Sequence, residues 1–144
     1  MDSSGGHFFT GESWIYPNTK KQIMYLGARI ITGLLAIIGL VIGARGALAG
    51  LAGVDAPALL DNEYRFFAGI WFAVGLGLAY CVVYLKEAAG LFRGLMLALF
   101  CGGIARAIGL TAYAPEPPMV AAIAIELIAP VLLVWMQARL VRTT

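Results

Sequence analysis

The chain has 144 residues, of which 61% are hydrophobic and only 12% charged, against about 45–50% and about 25% in soluble domains. Its mean hydropathy is +0.87 and its formal net charge is +2. These values exclude a typical soluble enzyme, a disordered chain and a nucleic-acid-binding domain, and they point to an integral membrane protein.

Residues 1–21 differ in kind from the rest. They are Ser/Gly-rich at first and then aromatic, with His7, Phe8, Phe9, Trp14 and Tyr16. One reading is a cytoplasmic arm whose Trp14 and Tyr16 rest at the headgroups. The sharper reading is a docking arm, with Phe8, Phe9, Trp14 and Tyr16 as contacts for a partner protein.

Residues 22–144 read as one four-helix transmembrane domain. The apolar stretches cover about residues 22–44, 64–85, 94–113 and 119–140. Each is long enough for a helix to cross about 30 Å of hydrocarbon. A barrel would need shorter, alternating segments, and the sequence has none. Lys20, Lys21, the first apolar run and Ala47-Leu48-Ala49 mimic a signal peptide. The run is longer than a normal signal core, so a retained helix is expected.

The connections are short. Pro57 with Asp55, Asp61 and Asn62 marks the first, residues 86–93 the second, and the proline-rich residues 114–118 the third. Proline cannot continue a helix. Short links make sequential helices antiparallel neighbours, so the expected fold is an all-α, up-down-up-down bundle. With the N-terminus inside, Lys20, Lys21, Lys86, Arg93, Arg139 and Arg142 fall on the cytoplasmic side. Asp55, Asp61, Glu63 and Glu116 fall outside with Arg45 and Arg65. The positive-inside rule then places both termini in the cytoplasm.

Small residues recur every fourth position. The second helix has Arg65, Gly69, Ala73, Gly77 and Cys81; the third has Gly90, Gly94, Ala98, Gly102 and Arg106. The first offers Gly39 and Gly43. Lipid tails are as apolar as leucine, so helices associate in a bilayer through close approach at small residues. Gly69, Ala73, Gly77, Gly94, Ala98 and Gly102 are therefore expected to be packing seams.

Arg106 and Glu126 interrupt apolar helices. They lie symmetrically about Glu116, roughly 10 Å from the third turn on an ideal helix. A charge at that depth is costly unless paired, so an Arg106–Glu126 bridge is expected. Pro130 cannot donate to the carbonyl of Glu126 and marks a kink. Asn62 and Glu63 suit the start of the second helix. Arg65 lies on the small-residue row and would turn inward. Glu63, Arg65, Arg106, Tyr113 and Glu126 would then form an intramembrane polar cluster, either a structural ion-pair network or a ligand, lipid or proton site. Arg29 snorkels to the inner interface or meets Glu87.

The segment from Asp61 to Trp71, with Asn62, Glu63, Arg65, Phe66, Phe67 and Gly69, resembles the bacterial four-helix membrane family catalogued as domain of unknown function 4345. Gly103-Ile104-Ala105-Arg106 and the stretch from Glu126 to Pro130 support it, and the resemblance covers about residues 25–140. It implies a four-helix fold in a bacterial inner membrane and brings no established activity. The N-terminal arm is an addition to the family pattern.

Several chemistries lack their residues. His7 is the single histidine and lies outside the membrane, so an intramembrane haem or chlorophyll has no histidine ligand. Cys81 and Cys101 sit on different helices and read as inert core thiols. No phosphate-binding loop, catalytic triad or dinucleotide fingerprint is present. The expectation is a non-enzyme with no evident cofactor.

Three functions remain. The first is an accessory or structural subunit of a larger membrane complex, possibly energy-transducing. The second is a binder of a lipid, quinone, carotenoid or similar apolar molecule in an intramembrane pocket. The third is a small transporter with Glu126 carrying the proton.

Overall fold

The computed structural model describes residues 19–112 and 115–141. It holds four helices: α1 (Thr19–Ala49), α2 (Ala58–Val83), α3 (Ala89–Gly109) and α4 (Pro117–Val141). All four are long and apolar enough to cross a membrane. Their outward faces carry large apolar residues such as Ile37, Val41, Phe66, Leu97, Ile128 and Val131. In water such faces would be a liability; against lipid they are the solvent-facing side. The chain is a multi-pass membrane protein.

The helix borders differ from the sequence expectation, and local chemistry explains why. α1 starts at Thr19 and so takes in Lys20 and Lys21. α2 starts six residues before Tyr64, because Ala58, Leu59 and Leu60 are good helix formers and Pro57 stands at the N-cap, outside the helix body. Asn62 is therefore not the cap; Asp61 is the acidic residue of the first turn. α3 starts at Ala89 and stops at Gly109, where the Thr111 hydroxyl donates to the Ile108 carbonyl at 2.9 Å. α4 opens on Pro117 and Pro118, whose fixed φ suits a first helical turn.

α1 packs on α2 and α4, and α3 packs on α4 and α2; among the described residues the backbones of the diagonal pairs come no closer than 8 Å between Cα atoms. The four helices thus surround a shared core of residues such as Ala28, Ala36, Leu78, Phe92, Met96 and Leu133.

The closest packing lies between α1 and α2. Gly39, Gly43 and Gly46 face Gly75, Phe72 and Ala68, in that order. A Cβ added to Gly39 would lie 3.2 Å from the Gly75 Cα, and one on Gly46 would lie 2.7 Å from the Ala68 Cβ. At Gly43 it would strike the Phe72 backbone. Bare backbone is what lets these helices gain dispersion contacts that lipid would otherwise supply. Thr32, fully buried on α1, donates its hydroxyl to the Ala28 carbonyl at 2.7 Å and brings no unsatisfied group into the core.

Candidate functional site

Two polar assemblies stand out, one between α1 and α2 and one between α3 and α4. The first caps α1. A helix C-terminus leaves carbonyls without partners and carries partial negative charge, and α1 has no basic residue in its last turn. Arg65 of α2 supplies one. Its guanidinium donates to the carbonyls of Ala47 at 3.0 Å, Leu48 at 2.8 Å and Ala49 at 3.3 Å. Asp61, one turn earlier, holds Arg65 Nε at 2.8 Å and accepts from the Leu51 N–H at 2.6 Å. Gly50 allows the assembly to close. It has φ +59°, the left-handed value common at helix ends, and a Cβ there would collide with Asp61 and Arg65.

The second assembly is the Arg106–Glu126 pair. Arg106 Nη1 lies 3.5 Å from Glu126 Oε1. That is an ion pair at longer range than a charge-assisted hydrogen bond. The partners are unequal. Arg106 is in the last turn of α3, near the helix end rather than deep, and its side chain is 46% exposed. Its charge complements the α3 C-terminus. Glu126 stands nine residues into α4, roughly 13 Å along the axis, with its side chain 11% exposed. Its Oε2 is buried with no hydrogen-bond partner among the described residues.

This carboxylate borders a chamber of about 140 Å³. The walls come from all four helices: Leu35, Ile38 and Ile42 of α1, Trp71 of α2, Leu99 and Arg106 of α3, and Ala122, Ile125 and Glu126 of α4. Gly103 makes room for it on the α3 side, since a Cβ there would lie 3.0 Å from the Glu126 Cβ and from Leu127. The chamber offers one acid with a free acceptor, one cation and an apolar wall. It can accept a single hydrogen bond from an apolar molecule or hold a few waters at about 30 Å³ each.

The structure brings Arg106 and Glu126 together but not the rest of the expected cluster. Arg65 is held at the α1 terminus, because α2 begins early enough to place it there. Glu63 is exposed, and no contact joins it to Glu126. Tyr113, Phe8, Phe9, Trp14 and Tyr16 lie outside the described residues. The packing rows are also corrected. A Cβ on Gly69, Gly94 or Gly102 would meet nothing within 4 Å, and Ala73 and Ala98 are exposed. Gly77 alone of that set touches a neighbouring helix, at Leu95. The seams run through Gly39 and Gly43, which the sequence offered, and through Gly46, Ala68, Gly75 and Gly103. Cys81 is buried as expected, whereas Cys101 is exposed on α3. Arg29 lies 5.5 Å from the Tyr25 ring centre, with Lys86 at 5.8 Å from the same ring, a cation–π arrangement rather than a Glu87 pair.

Sequence reasoning missed Asp61 as the partner of Arg65, although four-residue spacing of opposite charges on one helix is a legible signal. It also missed Trp71 and Leu99 as chamber walls, which nothing but tertiary packing selects.

A family model described as a domain of unknown function (DUF4345) matches residues 27–137. The chain belongs to this family. The match contains both polar assemblies and all the seam glycines, so the geometry above lies within the DUF4345 domain. No curated protein and no solved structure matches the chain.

Proposed function

We propose that this DUF4345 protein is a non-catalytic subunit of a larger assembly in a bacterial inner membrane. The order of contacts supports an antiparallel bundle: Gly39, Gly43 and Gly46 meet successively earlier residues of α2, and Arg93 and Arg106 meet Gln137 and Glu126. Lys20, Lys21, Lys86, Arg93 and Arg139 gather at one end of that bundle, which supports cytoplasmic termini.

The observation that carries the subunit reading is the surplus of small-residue surface. Gly69 and Ala73 on α2, and Gly94 and Ala98 on α3, are open in the bundle. In lipid such surfaces give a helix little contact of its own and offer a second helix close approach. The interior chamber argues in the same direction. Its 140 Å³ falls below the roughly 300–1,000 Å³ of ordinary ligand sites. Gentle extraction from native membranes, followed by a native gel and mass spectrometry, tests this. A stoichiometric protein partner is expected; a monodisperse free chain overturns the reading.

The unpartnered Glu126 Oε2 favours a second reading, in which the chamber grips only the donor end of an apolar molecule whose remainder lies between helices. Organic extraction of the purified chain should then release that molecule, and Glu126→Gln should lose it.

A further inference from the structure

We infer that the outer groove between α3 and α4 is a binding site for an anionic phospholipid, with the phosphate on Arg93 and an acyl chain along the groove. This site is separate from the Glu126 chamber and does not depend on the subunit reading.

The groove has a volume of about 450 Å³ and is lined by Arg93, Leu97 and Phe100 on one side and Pro130, Val131 and Trp135 on the other, among others. Its lining is apolar apart from Arg93. Arg93 lies in the first turns of α3, and Arg139 in the last turn of α4, so both stand at headgroup level when the helices span. The Arg139 guanidinium lies 4.3 Å over the Trp135 ring, which forms part of the groove wall. The Arg93 cation therefore marks the mouth of one apolar groove, and no carboxylate among the described residues lines it.

Arg93 is held in place. Its Nε donates to the Oε1 of Gln137 at 3.1 Å, and Gln137 is fully buried. The terminal nitrogens of Arg93 make no hydrogen bond or ion pair with the described residues, so they are available as paired donors to phosphate oxygens. From Arg93 to Phe100 the groove follows seven residues, roughly 10 Å of helix, enough for the upper part of an acyl chain. Lipid tails are as apolar as the groove wall, so the channel orients the chain but does not select it. Selection falls to Arg93, since basic sites between membrane helices suit anionic headgroups.

Each basic residue near an anionic lipid surface contributes about 1 kcal/mol, or about fivefold. The test uses the full chain in nanodiscs of equal phosphatidylglycerol and phosphatidylcholine, with retained lipid read by native mass spectrometry. Phosphatidylglycerol should be enriched several-fold over phosphatidylcholine. Arg93→Gln should cut that enrichment about fivefold, and Arg93→Lys, which keeps the charge but not the paired donors, should keep only part of it. Leu97 is 63% exposed, so Leu97→Trp fills the groove without entering the core. It should melt as the unaltered protein does and lose the retained lipid. Soluble glycerol 1-phosphate should not displace the lipid. Equal retention of the two lipids, unchanged enrichment in Arg93→Gln, unchanged retention in Leu97→Trp, or displacement by glycerol 1-phosphate would each overturn the site.

Discussion

The α1–α2 pair and the α3–α4 pair are held together by different means. α1 and α2 meet backbone to backbone along Gly39, Gly43, Gly46, Ala68 and Gly75, and their polar groups close at the helix ends, where Arg65 and Asp61 satisfy the α1 terminus. α3 and α4 meet through side chains and hold polar groups between them. Both buried side-chain polar atoms without a partner among the described residues, Glu126 Oε2 and Gln137 Nε2, belong to this second pair. An unmet buried polar atom costs on the order of 1–3 kcal/mol. The α1–α2 pair is thus organised for close packing. The α3–α4 pair tolerates polar atoms that packing alone would remove, and such atoms in a membrane are the usual mark of a site.

The largest way to break this contrast is at Gly43. A leucine there must displace the Phe72 backbone, which cannot move like a side-chain tip. Overpacking commonly costs about 1–3 kcal/mol, and contact with backbone places Gly43→Leu at or above the upper end. The variant should extract poorly and lose most of its thermal transition in detergent. An unchanged melting temperature would mean that the α1–α2 seam does not hold the bundle.

The Arg106–Glu126 pair gives the next effect. Arg106→Leu leaves a deep carboxylate with neither oxygen paired, and should destabilise by about 1–3 kcal/mol. Arg106→Leu combined with Glu126→Leu removes both charges and should recover part of the loss. Thermal melts of the single and double variants in one detergent make the comparison. Equal damage in both would show that the two side chains do not interact.

What was legible in the sequence follows the same division. The four helices were legible because their apolar runs exceed the membrane thickness. The Arg106–Glu126 pair was legible because the two positions stand ten residues either side of Glu116, the middle of the expected turn. Their unequal depths were not, since they depend on α3 ending at Gly109. Arg65 was misdirected for a related reason. Its target is the end of α1, which comes within reach only once α2 has begun at Ala58. Gly39 and Gly43 were legible, but Gly46, Ala68, Gly75 and Gly103 were missed because four-residue spacing identifies a ridge of small residues without saying what faces it. Gly102 and Gly103 are adjacent in sequence, yet only Gly103 meets α4.

Gly94 offers the smallest effect and the finest test. It stands on the exposed face of α3, and a Cβ would meet nothing within 4 Å. Alanine there adds a methyl group to open space and lowers the conformational freedom of the unfolded chain, worth up to about 1 kcal/mol in favour of the helix. Gly94→Ala should therefore melt at the same temperature as the unaltered protein or slightly above it. Gly103→Ala, which places a Cβ 3.0 Å from Glu126, should melt below it. If Gly94→Ala fell as far as Gly103→Ala, the α3 row would be packed inside the folded protein, and the surplus small-residue surface behind the subunit proposal would vanish. If Gly94→Ala is neutral for the isolated chain but Gly94→Leu frees it from a co-purifying protein, the row has no role within this bundle and belongs to the contact with that partner.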